Sequence, residues 1–93
     1  MSVKAKFKYV RYEANSHKRK KDPKGSWEES NLEAMEQRTL IFQPVYPNGD
    51  PNHENTKFWE ATPSGEIRLG TVNPEAWKQF ELDKEYFVTF EEA

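Results

Sequence analysis

Residues 3–12 alternate: Val3, Ala5, Phe7 and Tyr9 fall on one side, Lys4, Lys6 and Lys8 on the other. A side chain on the same face at every second position is the geometry of a strand with one wet and one buried face. A chain that opens this way must build a sheet and find something to cover it. The phase then changes, because Val10 and Tyr12 take over the opposite side. One extra residue in a strand shifts the phase in this manner, so a bulge or sharp bend is expected within residues 9–11.

The 93 residues leave room for a single domain. Such a domain buries only about two-thirds of the surface its unfolded chain exposes. Apolar residues make up 34% and charged residues 32%, a balance that by itself leans towards disorder. The aromatic content answers it. Three Trp, four Tyr and six Phe supply large hydrophobic units, and the net charge is only −2. The chain lacks Cys, which removes disulfides, thiolate metal sites and Cys nucleophiles. No apolar stretch follows Met1, since Lys4, Lys6 and Lys8 interrupt it. A signal peptide and a membrane span are therefore not expected, and the simplest reading is a cytoplasmic protein.

The charge is divided unevenly. Residues 1–24 carry nine Lys/Arg against Glu13 and Asp22, and the remainder carries five against fourteen acids. Such a split marks either an interaction surface or two regions that attract each other across the fold.

Residues 14–26 are polar and basic and read as an exposed, mobile loop. In residues 27–37, Ser30 or Asn31 is placed to cap a short helix through Leu32, Ala34 and Met35, although its apolar content is thin. Residues 39–46 predict a second strand in which Leu40, Ile41 and Phe42 are buried on both faces, with Pro44 at an edge or leaving the sheet. Residues 47–55 are dense in turn formers. Residues 57–61 and 66–72 predict a hairpin joined by Thr62-Pro63-Ser64-Gly65, with Gly65 at positive φ. Asn73-Pro74-Glu75 opens a short helix: a side-chain cap, Pro at the first turn and an acid at the positive end of the dipole. Residues 86–90 alternate again as a final strand.

The predicted architecture is mainly β with one short helix, a single domain over residues 1–93 arranged as a small five-stranded, partly open barrel. An SH3-like barrel ranks first. An OB-like one, with its helix between the third and fourth strands, ranks second.

Several segments are familiar together: Lys57-Phe58-Trp59-Glu60-Ala61-Thr62-Pro63-Ser64-Gly65-Glu66-Ile67, then Asn73-Pro74-Glu75-Ala76 and Lys84-Glu85-Tyr86-Phe87-Val88. With the opening strand and Pro44-Val45-Tyr46, they resemble a family of small uncharacterised proteins encoded by tailed bacteriophages. That resemblance implies a phage origin and a bacterial host cytoplasm or a virion as the setting. It carries over no activity and no catalytic residue. The basic run at residues 18–24 departs from the shorter, less charged loop of that family.

Catalysis finds little support in the residues. His17 and His53 both fall in turn-rich segments, and neither has a Ser or carboxylate spaced to form a triad. Asp50, Asn52 and Glu54 start like a calcium loop, but Asn55 stands where that loop needs Gly and Ala61 where it needs Glu. Turn chemistry accounts for them, and no cofactor or metal is called for. Nucleic acid has a better case: Lys18, Arg19, Lys20, Lys21 and Lys24 form a dense cluster, and Lys4, Lys6 and Lys8 would extend it along one strand. Phe58 and Trp59 would add a stacking platform, as in barrels that bind single strands. Against it stands the sequence pI of about 5.7. Protein binding is the remaining class, through an edge strand or through an acidic face including Glu28, Glu29, Glu33, Glu36, Glu91 and Glu92 that mimics nucleic acid. The reading is a non-catalytic binding module for a host or phage protein, with single-stranded nucleic-acid binding as the alternative.

Overall fold

The opening alternation is the root of a strand that runs well beyond it. A computed structural model describes residues 2–93. Its first strand, β1 (Ser2–Lys20), pairs antiparallel with β2 (Leu32–Pro44) along nearly its whole length, from Phe7 opposite Pro44 to Lys20 opposite Leu32. The register slips between Tyr9 and Arg11, which is the expected bulge. On its other side β1 pairs through residues 2–8 with β4 (Glu85–Glu91). The third strand, β3 (Ile67–Thr71), pairs with residues 38–42 of β2. The result is one open antiparallel sheet of four strands in the order β3-β2-β1-β4.

Two short helices accompany the sheet: α1 (Glu54–Trp59), between β2 and β3, and α2 (Pro74–Trp77), between β3 and β4. The second is the helix read from Asn73-Pro74-Glu75, and the Asn73 side chain accepts a hydrogen bond from the Glu75 N–H as its cap. The first replaces the predicted third strand over residues 57–61. There the His53 Nδ1 accepts from the Asn55 N–H, and Glu60 closes the helix in the left-handed region at φ 54°. With α1 in place no hairpin forms across Thr62-Pro63-Ser64-Gly65. Gly65 does take positive φ, at 124°, but in a loop leading from α1 to β3. The five-stranded arrangement thus becomes four strands, with β3 and β4 left as the two sheet edges.

The basic segment is also placed differently. Residues 14–20 belong to β1, and residues 32–37, expected in a helix, belong to β2. A single 3-10 turn over Glu29–Asn31 is all the helix in that region. Because β4 covers β1 only to Lys8 and β3 covers β2 only from Arg38, the rest of the β1–β2 pair projects as a two-stranded arm. The molecule measures 58 × 29 × 20 Å with a radius of gyration of 18.0 Å. A compact chain of this length would have about 12 Å.

The core lies on one face of the sheet root. Ala5, Phe7 and Tyr9 from β1, Leu40 and Phe42 from β2, and Trp77 from α2 are buried together. Trp59, Ile67, Phe80, Tyr86 and Val88 pack around them. Tyr9 stacks on Phe42 at 5.1 Å, and Phe80 meets Phe42 edge-on at 5.5 Å. Such tilted and offset contacts suit the charge distribution of aromatic rings. Ile41 is also fully buried, as expected for a strand covered on both faces. Few apolar residues suffice because most of the core is aromatic.

One polar side chain completes the root. Asn55, 0% exposed, accepts from the Lys6 N–H at 2.7 Å and donates to the Lys6 and Val45 carbonyls at 2.8 and 2.7 Å. Its carboxamide stands in for a peptide unit where β2 ends at Pro44, so β1 keeps a bonded neighbour and α1 is tied to the sheet.

Candidate functional site

The face that carries the core is not fully covered. Beyond α2 an apolar trough of about 490 Å³ remains, with Ile67 and Leu69 of β3 on one wall and Tyr86, Val88 and Phe90 of β4 on the other. Phe42 and Phe80 are also part of its lining. Leu69 and Phe90 are 50% and 57% exposed, a large apolar surface for so small a chain. Its size lies within the range of sites that hold a ligand.

The hydrogen bonding of β1 determines what borders this trough. Tyr9 donates to the Lys84 carbonyl and accepts from the Asp83 N–H, so odd residues of β1 bond towards β4. Lys6 bonds the other way, to Asn55 and to the Val45 N–H. In antiparallel strands the N–H and C=O of a residue point to the same side, and the side alternates. Tyr86 and Val88, opposite Phe7 and Ala5, therefore bond to β1, while Phe87 and Thr89 turn their main chain to the free edge. Phe87 and Thr89 also line the trough. An unpaired strand edge and an apolar recess run side by side.

On the opposite face Lys4, Lys6 and Lys8 line β1 as expected. The Lys4 and Lys6 ammonium groups lie 4.5 and 5.2 Å from the ring centre of Phe87, which is 54% exposed. Lys6 also reaches Glu85 at 3.4 Å. Phe58 and Trp59, expected on a strand beside these lysines, sit on α1. Phe58 is exposed, whereas Trp59 packs on Phe7 at 6.1 Å and donates its indole N–H to the Ser64 carbonyl. Trp59 belongs to the core periphery and offers no free ring for stacking.

Lys18, Arg19, Lys20, Lys21 and Lys24 lie in the outer arm and its turn. At about 3.3 Å per residue, Lys20 is about 45 Å along β1 from Lys6, where α1 is anchored. The structure does not bring the two halves of the predicted basic surface together. It also offsets part of the outer half: Lys18 faces Glu29 of the 3-10 turn at 4.0 Å, and Arg19 bonds Glu33 of β2 at 2.6 Å. Residues 13–37 carry five Lys/Arg against six Asp/Glu. Within this region bases and acids nearly balance in number, and two of the five bases are paired with acids of the returning chain. Arg68 makes a similar bridge at the root, to Glu66 at 2.7 Å and Glu13 at 3.7 Å. Its hydrogen bond holds the Glu66 carboxyl below the usual carboxylate range.

The arm ends in a bonded turn. Asn31 donates to the Asp22 and Ser26 carbonyls and accepts from the Asp22 N–H, and Gly25 packs so close that a Cβ there would lie 2.6 Å from the Asn31 amide nitrogen. Trp27, 66% exposed, is held at this tip with the Lys20 ammonium 5.1 Å from its ring. Neither Trp27 nor the trough is visible in local sequence pattern. The trough requires knowing that residues 67–69 and 86–90 share a concave face, and Trp27 sits in a segment of ambiguous pattern, just ahead of the Ser30 or Asn31 expected to cap a helix. His17 lies exposed on the arm and His53 caps α1. Asp50 accepts from the Asn52 N–H in a local turn. Among the described residues, no three His, Asp or Glu side chains converge to hold a metal ion, and no helix is long and apolar enough to cross a membrane.

No family model, curated protein or solved structure matches the chain.

Proposed function

We propose that the protein is a non-catalytic module that binds another protein by taking an extended segment of it as an added strand along β4. The observation that carries this reading is the apolar trough running beside the free main-chain edge of Phe87 and Thr89. Strand addition uses both features. Main-chain hydrogen bonds give affinity, and alternate side chains dropping into a recess give selectivity. The resemblance to small phage proteins supports a host or virion protein as the partner in this reading.

Selection from a displayed library of random heptapeptides tests the reading. Binders with alternating apolar residues should emerge, and they should lose binding to the Thr89→Pro variant. Pro at Thr89 removes a donor from the free edge while leaving the β1 pairing intact, a position where strands tolerate it. No enrichment, or binders indifferent to Thr89→Pro, would refute the proposal.

Single-stranded nucleic-acid binding is the second reading, favoured by the exposed Phe87 ring flanked by Lys4 and Lys6. It predicts saturable fluorescence quenching by single-stranded DNA that weakens steeply with salt. The ion pairs of the arm count against a large contribution from Lys18 and Arg19.

A further inference from the structure

Resting on the strand-addition reading, we infer that the added segment is foreign to this chain, runs antiparallel to β4, and carries a Lys or Arg immediately before three alternating apolar residues. The strand itself supplies the pattern. Its seven residues Glu85-Tyr86-Phe87-Val88-Thr89-Phe90-Glu91 have acids at both ends and none between. Tyr86, Val88 and Phe90 face the trough, so a neighbouring strand would place its residues opposite these three into the same recess. The residues between them would share the outer face with Phe87, Thr89 and the two terminal acids.

The two ends of β4 differ in how their charge is met. Glu85 lies opposite Lys8 and is bridged by Lys6 at 3.4 Å. Glu91 lies opposite Ser2, and Glu92 follows it, so this end presents two adjacent acids without a lysine across the pair. Opposite charges directly across a strand pair stabilise and like charges destabilise. A basic residue is therefore favoured at the position that meets Glu91. In an antiparallel neighbour that position comes first, before the apolar residues. Antiparallel pairing is also slightly the more stable arrangement.

The same charges argue against a second copy of this chain as the occupant. Two β4 strands paired antiparallel about Val88 would set Glu85 of each against Glu91 of the other. Edge acids of this kind are a common guard against self-association.

The test uses three synthetic peptides sharing an alternating Val-Thr-Val-Thr-Val centre. One carries Lys-Lys before it, one Glu-Glu before it, and one Lys-Lys after it. Binding is followed by amide shifts of labelled protein. The first peptide should bind about ten-fold more tightly than the second, with shifts at Phe87 and Thr89, and the Glu91→Lys/Glu92→Lys double variant should reverse that order. Equal binding by all three overturns this inference but leaves strand addition standing. A preference for the third overturns the antiparallel direction. No binding by any peptide, or binding unaffected by Thr89→Pro, removes strand addition itself. Sedimentation showing a concentration-dependent dimer that Thr89→Pro abolishes would assign the edge to a second copy.

Discussion

Replacing Asn55 by Ala removes three hydrogen bonds at one stroke, and the structure shows which groups are left without a partner. The Lys6 carbonyl keeps the Val45 N–H at 3.0 Å. The Lys6 N–H and the Val45 carbonyl lose the carboxamide and have no replacement in the described contacts. An orphaned buried donor or acceptor costs about 1–3 kcal/mol, so the pair should cost about 2–4 kcal/mol once water enters the vacated space. A domain of this length has about 5–14 kcal/mol of stability at 0.05–0.15 kcal/mol per residue. The melting temperature should fall by about 10–30 °C. Urea unfolding followed by tryptophan fluorescence measures the loss directly. Asn55→Asp sharpens the test, since it keeps an acceptor for the Lys6 N–H but turns a second oxygen towards two carbonyls. Burial and those carbonyls would raise its folded pKa above the unfolded value of about 3.9. Stability is then fully present below that unfolded value and lost as pH rises through the raised one, so this variant should fall furthest behind the parent near neutrality. An Ala variant within about 0.5 kcal/mol of the parent, below the scale of a surface substitution, would refute the clamp. So would an Asp variant with no such dependence on pH.

Glu60→Gly should stabilise the fold by about 1 kcal/mol, because Glu60 closes α1 at φ 54°, where a side chain is disfavoured and Gly is not; denaturant midpoints decide it. Arg38 lies 4.3 Å from the Tyr12 ring centre and 4.8 Å from that of Trp77, so Arg38→Ala should cost about 1–2 kcal/mol and shift the near-ultraviolet circular dichroism of Trp77. Burial raises the Tyr9 hydroxyl pKa above 10.0, partly opposed by Arg38. Its contribution to stability is present below the unfolded pKa of about 10 and is lost as pH rises through the folded one, so Tyr9→Phe should flatten the alkaline limb of a stability–pH curve.

What could be read from sequence follows the physics of each segment. Residues 3–9 and 86–90 alternate because one face is buried, and Asn73-Pro74-Glu75 satisfies helix-end groups locally, so all three were legible. Residues 14–20 and 32–37 form strands too, but the arm buries neither face, and a strand without a core has no hydrophobic period to detect. The helix α1 was missed for another reason: it is one and a half turns long, capped by a histidine, and held by the tertiary bonds of Asn55. The basic residues were found, but not the pairing of Lys18 with Glu29 and Arg19 with Glu33, which depends on the chain returning beside β1 in register. The trough was out of reach because its walls come from strands at opposite edges of the sheet.

The arm has a property that the root lacks. Nothing apolar fixes its register; the bulge at Tyr9–Arg11 and the Asn31-bonded turn hold the two ends, with Arg19 opposite Glu33 between them. Its reach is therefore adjustable in steps. Deleting two residues from each strand at matched positions leaves every remaining side chain on its own face and draws the tip in by about 7 Å, whereas deleting one from a single strand turns the rest of that strand over. Arms of this build can be lengthened or shortened by matched insertions without disturbing the sheet that carries them, which makes their length a variable that selection can tune separately from stability.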